Sequence, residues 1–478
     1  MTTNTDTDLS AVPPAPPSGW AELRPYAGSV TVLAGGILTQ ALTIYLTASL
    51  LPSTVSDIGG QDVYAWVTTA YLLCSVVSAT LVSRVLAWLG GVLAYLVGLG
   101  VFAAGSLICA LAPDIATMLV GRALQGLGGG LLAGLAFALV RSALPERLWG
   151  RGSAVISAMF GIGTLAGPAV GGLFAEWGAW RGAFATMAVV TFALATWVPR
   201  VLPRTAGSAL RVEPFPVGSL LLLLAATAGL SLAGIVDGRG LVATLLALSG
   251  LLLITFLWWD RGTEARILPA ATYLASSSLR WVFLANALTT VAVVTEAFTP
   301  MFGQRIAGLP PLAAGFLGAT ISAGWSFTGL FSAHTDSLRA RRSMISGGAA
   351  LVAAGLLAAY VVQVTGGGSS TTVAGWGIAL VVAGVGIGLA FPHLTVAAMS
   401  SSRDETEAGK AAAAIPTVGL IAQTVGAAFG GLLVNAGLPS TTDAARNLFL
   451  GLGIVAVLGT ITARASLRAL DAGGRAAG

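Results

Sequence analysis

Charged side chains are scarce in this chain. Asp, Glu, Lys and Arg make up 9% of its 478 residues, whereas apolar residues make up 56%, and the mean hydropathy is +0.87. Because a soluble domain carries about a quarter charged residues, this composition excludes an ordinary soluble protein. Most of the chain must face lipid or other helices, which predicts a polytopic membrane protein.

Cysteine and histidine are also rare, with two residues of each. Cys74 and Cys109 both lie in apolar segments, and neither has a second thiol at the spacing of a metal site. The sequence also lacks HExxH, GxSxG and Gly-Lys-Ser/Thr phosphate-loop motifs. These absences argue against a metal centre, a disulfide, an enzyme and the use of ATP as energy source. We therefore expect no cofactor and no metal.

Apolar stretches long enough to cross a membrane fill most of the sequence. About 20 apolar residues at 1.5 Å rise span the hydrocarbon, and on that rule we predict fourteen spans. They lie at 28–50, 63–83, 90–111, 116–140, 152–175, 182–199, 215–236, 241–259, 281–302, 312–332, 344–364, 373–397, 411–436 and 447–464. No loop between them exceeds about 20 residues, which disfavours a sensor or scaffold with a soluble domain.

Positive charge is concentrated in alternate predicted loops. With the N-terminus in the cytoplasm, the inner loops and tails hold 19 of the 24 Lys and Arg residues. The outer loops hold Arg181, Arg239, Arg305 and Arg446, and Arg122 lies inside span 4. This bias follows the positive-inside rule, so we expect a plasma (inner) membrane protein with both termini cytoplasmic. The net charge of +5 is then an insertion signal, and we expect no nucleic-acid partner.

Two glycine motifs indicate an internal repeat. Span 5 contains G-P-A-V-G-G-L from Gly167, and span 13 contains G-A-A-F-G-G-L from Gly426. If spans 7 and 8 are set aside, both motifs fall in the fifth helix of a six-helix half, a design that holds substrate between the halves. The expected organisation is a disordered tail at 1–27, a bundle at 28–200, a linker with two spans at 201–280, a bundle at 281–464 and a tail at 465–478.

Further motifs follow one another through the first half. L-P-S-T-V-S-D-I-G begins at Leu51, W-V-T-T-A-Y-L-L at Trp66 and G-R-A-L-Q-G-L-G-G-G at Gly121. G-T-L-A-G-P-A-V-G-G begins at Gly163 and W-R-G-A-F at Trp180. Together they resemble the major facilitator superfamily, in particular its fourteen-span drug:proton antiporter branch. The resemblance implies an all-α fold of two six-helix bundles plus two linker helices, alternating access, and export of hydrophobic compounds driven by proton entry.

Two features depart from the pattern of that family. The loop between spans 2 and 3 has Ala87 where the family places Asp, and it lacks the Arg pair of the cytoplasmic gate motif. A better match to this motif lies in the second half, at Asp336, Arg341 and Arg342. Spans 1 and 13 also lack a carboxylate in mid-membrane. The sequence therefore leaves open whether transport is coupled to protons.

Glycines spaced by four form a stripe on span 5. Small residues at this spacing let a neighbouring helix approach closely, and a proline within the stripe favours a bend. We predict a conformational role where two bundles rock against each other, with plain helix packing as the alternative. The residues assigned to this role are Gly163, Gly167, Pro168, Gly171, Gly172, Gly426 and Gly430.

Two ionisable residues lie inside predicted spans. Arg122 lies about six residues, or roughly 9 Å, into span 4, so it either snorkels to the interface or has a functional role. Glu296 lies roughly 22 Å into a core of about 30 Å, and Pro300 leaves its carbonyl without a helical partner. We predict that Glu296, with Arg122, carries proton coupling. Substrate contact and a neutral structural acid are the alternatives for Glu296.

Other polar and aromatic residues within the spans could line a central cavity. We expect a mainly apolar cavity suited to a small lipophilic substrate, in a monomer surrounded by membrane lipids. The leading hypothesis is a proton-coupled exporter of hydrophobic or amphipathic molecules. The alternative is a lipid or glycolipid transporter with weak or no proton coupling. The predicted cavity residues are Gln40, Tyr45, Gln125, Trp325, His393 and Gln423.

Overall fold

The computed structural model describes residues 20–203, 214–274, 277–332, 337–366, 369–399 and 405–475. Within these ranges the chain forms helices and no strand. The first-half helices are α1 (Ala27–Ile58), α2 (Tyr64–Leu111), α3 (Ile115–Ala143), α4 (Trp149–Glu176) and α5 (Trp180–Val201). Two further helices follow, α6 (Val217–Ala233) and α7 (Arg239–Gly262). The second-half helices are α8 (Leu279–Thr290), α9 (Thr295–Ala307), α10 (Pro311–Ser332), α11 (Leu338–Gly366), α12 (Ser370–Met399), α13 (Glu405–Asn435) and α14 (Thr441–Arg475).

The helices confirm an all-α membrane fold but not the predicted number of spans. Eleven helical segments of the described residues are long and apolar enough to cross a membrane. Helix α6 has only 17 residues, and α2 covers both predicted spans 2 and 3. Fourteen spans therefore remain a prediction, as do the domain boundaries. Part of the expected N-terminal tail, Trp20–Tyr26, forms a 3₁₀ helix, and α14 extends to Arg475 into the expected C-terminal tail.

A single glycine reverses the direction of α2. Gly90 has φ 71° and ψ 174°, a conformation that L-residues with a side chain rarely adopt. The two ends of α2 lie near each other, because Gly60 before the helix adjoins Ile115 after it. Spans 2 and 3 were predicted with a six-residue loop between them, and the structure replaces that loop by one non-helical residue.

The apolar core joins the two halves at one end of the molecule and divides at the other. One cluster combines first-half residues such as Leu50 and Tyr64 with second-half residues such as Phe298 and Leu448. Two separate clusters then follow, one built from the first half and the other from the second half with the adjoining segment around Leu268. We call the end with the joint cluster the closed end and the other the open end. The open end contains Ala27 and Val201, where the first half begins and ends.

Helices at equivalent positions of the two halves form the contact between the halves, one pair on each side of the molecule. Helix α4 packs on α1 of its own half and on α10 of the other half. Correspondingly, α13 packs on α8 and on the 3₁₀ turn Val291–Val294 of its own half, and on α2 of the other. Helices α6 and α7 pack on each other, and α6 also contacts α13. This arrangement brings the motif residues of α4 and α13 to the interface between the halves.

Candidate functional site

A buried carboxyl group lies where the two halves meet. The 3₁₀ turn Val291–Val294 separates α8 from α9, and Glu296, only 6% exposed, is the second residue of α9. Its Oε1 accepts a hydrogen bond of 3.0 Å from the backbone N–H of Ser322 on α10. Helix α10 can approach this level because Gly318 faces the ring of Pro300, where a Cβ would lie 2.8 Å from Cγ. The interrupted helix and the glycine thus place Glu296 against α10.

The first half reaches this carboxyl group through Tyr45. The Tyr45 hydroxyl of α1 donates a 2.9 Å hydrogen bond to Ser322 Oγ, and Ser322 donates its backbone N–H to Glu296. Thr164 of α4 lies near Tyr45, and its hydroxyl donates to the Phe160 carbonyl of its own helix at 2.9 Å. A polar chain therefore runs from α1 through α10 to α9 across an otherwise apolar interface. Of the predicted cavity residues, Tyr45 is the one that the structure joins to Glu296.

Arg122 lies in the interior of the first half and does not snorkel, because it is only 2% exposed. Its Nε donates to the Val67 carbonyl at 3.2 Å, and its Nη1 donates to Gln125 Oε1 at 2.8 Å. The guanidinium also lies over the Tyr71 ring, 4.4 Å from the centroid. Among the described residues no carboxylate lies within ion-pair distance of Arg122. The structure does not bring Arg122 and Glu296 into contact.

The glycine stripe of α4 packs directly on α1. A Cβ on Gly163 would lie 2.4 Å from the Ala41 Cβ, and one on Gly167 would lie 2.5 Å from the Tyr45 Cβ. A Cβ on Gly171 would lie 2.6 Å from the backbone oxygen of Leu46. No Cβ fits at these distances, so the close helix approach expected from the spacing is present.

The next residue of each motif contacts the opposite half. A Cβ on Gly172 would lie 2.4 Å from Leu312 Cα at the start of α10, and one on Gly431 would lie 2.3 Å from the Ala65 Cβ of α2. The corresponding stripe in α13 faces its own half, with Gly426 and Gly430 against the side chains of Val294 and its neighbours. The two GxxxGGL motifs are thus equivalent position by position. Pro168 joins this contact, since a Cβ on Gly315 of α10 would lie 3.3 Å from the Pro168 Cβ.

Two motifs that are distant in sequence meet at the closed end of the first half. Asp57, at the end of the stretch that begins at Leu51, accepts from Trp180 Nε1 at 3.0 Å and from Arg181 Nη1 at 2.6 Å. Arg181 also donates to the Ala112 carbonyl at 3.0 Å. The pairing ties the end of α1 to the start of α5. It gives a structural reason for the occurrence of both motifs in one chain.

The remaining predicted cavity residues do not gather around Glu296. Gln125 uses its polar atoms on Arg122 and on Ser106 Oγ, which is 2.9 Å away. Gln40 is buried beside Tyr71, where both border Gly129. In the second half, Trp325 packs edge-on against Phe391 with ring centroids 5.5 Å apart. His393 Nε2 lies 3.1 Å from Met344 Sδ, and Gln423 is half-buried on α13. Their role in a cavity stays a prediction.

The predicted gate motif lies at the open end. Arg341 and Arg342 occupy the first turns of α11, half-buried and exposed respectively, and Asp336 lies outside the described residues.

A cleft opens beside the polar chain, on the side of the helix bundle. Its volume is about 550 Å³, and it runs between α4, α10 and α12. Thr164 forms part of its wall, while Leu165 and Phe327 at its rim are 59% and 70% exposed. An apolar molecule in the bilayer could therefore approach Thr164 from the side.

A second buried carboxylate, Asp260, was missed by the sequence reasoning. It is fully buried at the end of α7 and accepts from Ser219 Oγ and the Tyr273 hydroxyl, both at 2.8 Å. The backbone N–H groups of Ile267 and Leu268 also donate to it, at 2.8 and 3.1 Å. Span 8 was predicted to end at residue 259, one residue short. Asp260 directly follows the apolar run, in W-W-D-R-G, and this position is the sequence feature that could have identified it.

Comparison with known proteins identifies the family. The profile of the Major Facilitator Superfamily matches residues 33–420. The chain belongs to the major facilitator superfamily. Its sequence is 42% identical over 452 residues to the Mycobacterium tuberculosis protein named "Probable multidrug-efflux transporter Rv1634", covering 92% of this chain and 95% of that protein. It is 23% identical to the Bacillus subtilis "Multidrug transporter protein MdtP", covering 79% and 69%.

Solved structures of this superfamily's fold agree with the helix arrangement. A POT family transporter in complex with 5-aminolevulinic acid superposes with a TM-score of 0.66 at 14% identity, covering 91% of this chain and 94% of that one. A D-xylose-proton symporter gives a TM-score of 0.64 at 13% identity, covering 92% and 97%. At such identities the likeness shows the fold alone. Together with the family membership, it makes the chain a multi-pass membrane protein of a transporter family.

Proposed function

We propose that this major facilitator protein exports lipophilic small molecules, including drugs, by alternating access in exchange for protons. The observation that carries the proposal is the buried Glu296, held on α10 by Ser322 and linked to the other half through Tyr45. A carboxyl group at this interface can be ionised or protonated. Burial away from water favours the protonated form, whereas hydrogen-bond donors or solvent favour the ionised form. The multidrug names of the relatives support the substrate class.

The position of Glu296 supports a coupling role because its partner Ser322 is in turn bonded to Tyr45 of the other half. When the halves separate at this level, Tyr45 leaves with α1, while Glu296 stays with α9. The carboxyl group then keeps the N–H of Ser322 but loses the nearby first-half residues, so its environment changes. Such a change can bind a proton in one conformation and release it in the other.

The cleft between α4, α10 and α12 supports an apolar substrate. Phe327 and Leu165 form an exposed apolar rim, and Thr164 provides a polar group on the inner wall. A molecule dissolved in the bilayer could enter this cleft and reach Thr164 without crossing a charged surface. The substrate class in this proposal is therefore neutral or cationic amphiphiles of drug size.

The test is transport in liposomes with a defined probe. Purified protein would be reconstituted, a pH gradient imposed, and movement of the fluorescent cation ethidium followed. Wild type should move the dye against its gradient only while the pH gradient lasts. The Glu296→Gln variant, which keeps the shape but cannot ionise, should lose this uphill movement and retain downhill exchange of the dye.

A matched control separates coupling from general damage. Asp443→Asn changes an exposed acid that pairs with Arg446 on α14, so it should transport like wild type. Equal uphill transport by Glu296→Gln and wild type would show that Glu296 does not couple protons. Tyr45→Phe should fall between the two, since it removes one hydrogen bond of about 1 kcal/mol.

A second candidate function is lipid or glycolipid transport without strong coupling. The membrane-facing cleft at Leu165 and Phe327 favours it, because a lipid could enter there laterally. In the same liposomes, fluorescent phospholipid placed in one leaflet would move to the other if this function is correct. Lipid movement that is unaffected by Glu296→Gln, without dye transport, would support this candidate over drug export.

We also propose that the open end faces the cytoplasm of a cell with the protein in its plasma membrane. The positively charged loops support this orientation, because residues such as Arg147, Arg200 and Arg280 lie at the open end. A membrane-impermeant thiol reagent should label Arg239→Cys in intact cells and leave Arg261→Cys unlabelled. The reverse labelling pattern would contradict this orientation.

A further inference from the structure

An apolar groove lies between the linker helices and the second half, away from Glu296. It has a volume of about 600 Å³ and is formed by α7, the 3₁₀ helix Ala270–Tyr273, α8 and α13. Phe256, Leu268, Phe283 and Ile421 are among its apolar lining residues. We call it the linker groove. Its volume lies in the range of small-molecule binding sites.

The wall of the linker groove is held in place by Asp260. The carboxylate fixes the backbone of Ile267 and Leu268 and the hydroxyl of Tyr273. Through Ser219 it also ties this segment to α6. Four hydrogen bonds to one fully buried carboxylate give a connecting segment a defined shape, so the groove is a built feature of the fold.

The rim of the groove carries positive charge at the level of a membrane interface. Arg261, at the end of α7, and Arg280, at the start of α8, both line the groove and are both exposed. Trp258 is 71% exposed one turn away, and Trp281 lies under Arg280, 5.6 Å from its guanidinium. Tryptophans with arginines at helix ends are typical of the zone of lipid headgroups. An apolar groove below two arginines complements an anionic amphiphile.

A polar group inside the groove points to the same ligand. Thr272 is 8% exposed and lines the groove, and its Oγ1 has no hydrogen-bond partner in the described part of the chain. Buried hydroxyl groups without a partner are uncommon in folded proteins. An ester or phosphate oxygen in the groove would accept its hydrogen bond.

We propose that the linker groove binds an anionic phospholipid of the surrounding membrane. The phosphate lies between Arg261 and Arg280, an acyl chain lies against Phe256, Phe283 and Ile421, and an oxygen of the glycerol ester region accepts from Thr272. The lipid then fills the contact between α7 and the second half. This site does not depend on what the protein transports.

The test measures retention of defined lipids by the full-length protein in mild detergent, using native mass spectrometry. Phosphatidylglycerol and phosphatidylcholine with the same acyl chains would be added separately. Wild type should retain one phosphatidylglycerol in preference to phosphatidylcholine. Since each interfacial arginine contributes about fivefold to binding of anionic lipid, Arg261→Gln with Arg280→Gln should weaken retention about thirtyfold.

The control is Arg200→Gln, an exposed arginine at the end of α5 and outside the groove, which should retain phosphatidylglycerol like wild type. Thr272→Val preserves the side-chain shape and should weaken retention about fivefold, and it remains informative if the double variant does not fold. Equal retention of both lipids by wild type, or of phosphatidylglycerol by wild type and the double variant, would overturn the proposal. Inorganic phosphate that displaces the lipid at equal concentration would also overturn it, because the acyl chain would then contribute nothing.

Discussion

Equivalent helix pairs pack together in the two halves, but the atoms that make the contact differ. In the first half, Gly171 of α4 lies against the backbone of α1, where a Cβ would be 2.6 Å from an oxygen atom. In the second half, Gly430 of α13 faces the side chains of Phe298 and Val294, where a Cβ would be 3.1 Å away. The first contact is backbone on backbone and cannot adjust. The second ends on side chains that can change rotamer.

The closed ends of the halves differ in a related way. In the first half, Asp57 joins α1 to α5 through Trp180 and Arg181. At the corresponding place in the second half, Phe302 of α9 packs on Phe449 of α14, with ring centroids 6.0 Å apart. One half is fastened by polar groups near solvent and the other by buried rings. A repeat in sequence therefore preserves helix positions and leaves the chemistry of each contact free to differ.

The buried ionisable groups give the largest expected difference. We expect Arg122→Met to reduce gradient-driven transport at least about tenfold, because two hydrogen bonds to a charged group, each of about 1.5–3 kcal/mol, are lost. Its melting temperature should fall modestly, because Gln125 Oε1 stays buried without its donor, at a cost of about 1–3 kcal/mol. Transport assays and thermal unfolding of the same preparation check this. A large fall in melting temperature with normal transport would assign Arg122 a packing role.

The closed ends provide the next comparison. Phe449→Ala should lower the free energy of unfolding by about 3–5 kcal/mol, because the fully buried ring contacts both Phe302 and Trp376. Asp57→Asn should leave the melting temperature unchanged within error, since the side chains of Asp57 and Arg181 are 50% and 44% exposed. Thermal unfolding in one detergent measures both. Similar losses for the two variants would remove the distinction between the closed ends.

The glycine stripes give the smallest but best matched comparison. Gly171→Ala should destabilise the protein by about 1–3 kcal/mol, because the new methyl group meets the backbone of Leu46. Gly430→Ala should change stability by less than about 1 kcal/mol, since Phe298 and Val294 can yield and alanine favours the helix. Equal destabilisation by both would mean that the two stripes are equally rigid.

Much of this arrangement could be predicted from particular residues. The four-residue spacing of Gly163, Gly167 and Gly171 predicted close helix packing, and the structure places all three against α1. The family and the all-α fold also followed from motifs and hydropathy. These features are local in sequence, so a periodicity or a short motif is enough to find them.

The partners of the buried polar groups could not be predicted in the same way. Nothing in the sequence indicated that Gln125 would donate to Ser106 of another helix, or that Ser322 would join Tyr45 to Glu296, because each pairing depends on how separate helices rotate against each other. Asp260 was missed for a different reason. A hydropathy window ends where charge begins, so an acid at the end of a span is assigned to the loop.

The turn at Gly90 has a mechanical consequence. Two crossings of the membrane joined by one residue have no slack between them, so they can tilt only as a single stiff unit. That unit contacts α13, for example at Ala65 against Gly431, and it packs on α3 and α5 within its own half. A displacement of α13 relative to the first half therefore moves both crossings of α2 together, because no flexible loop between them can absorb the displacement.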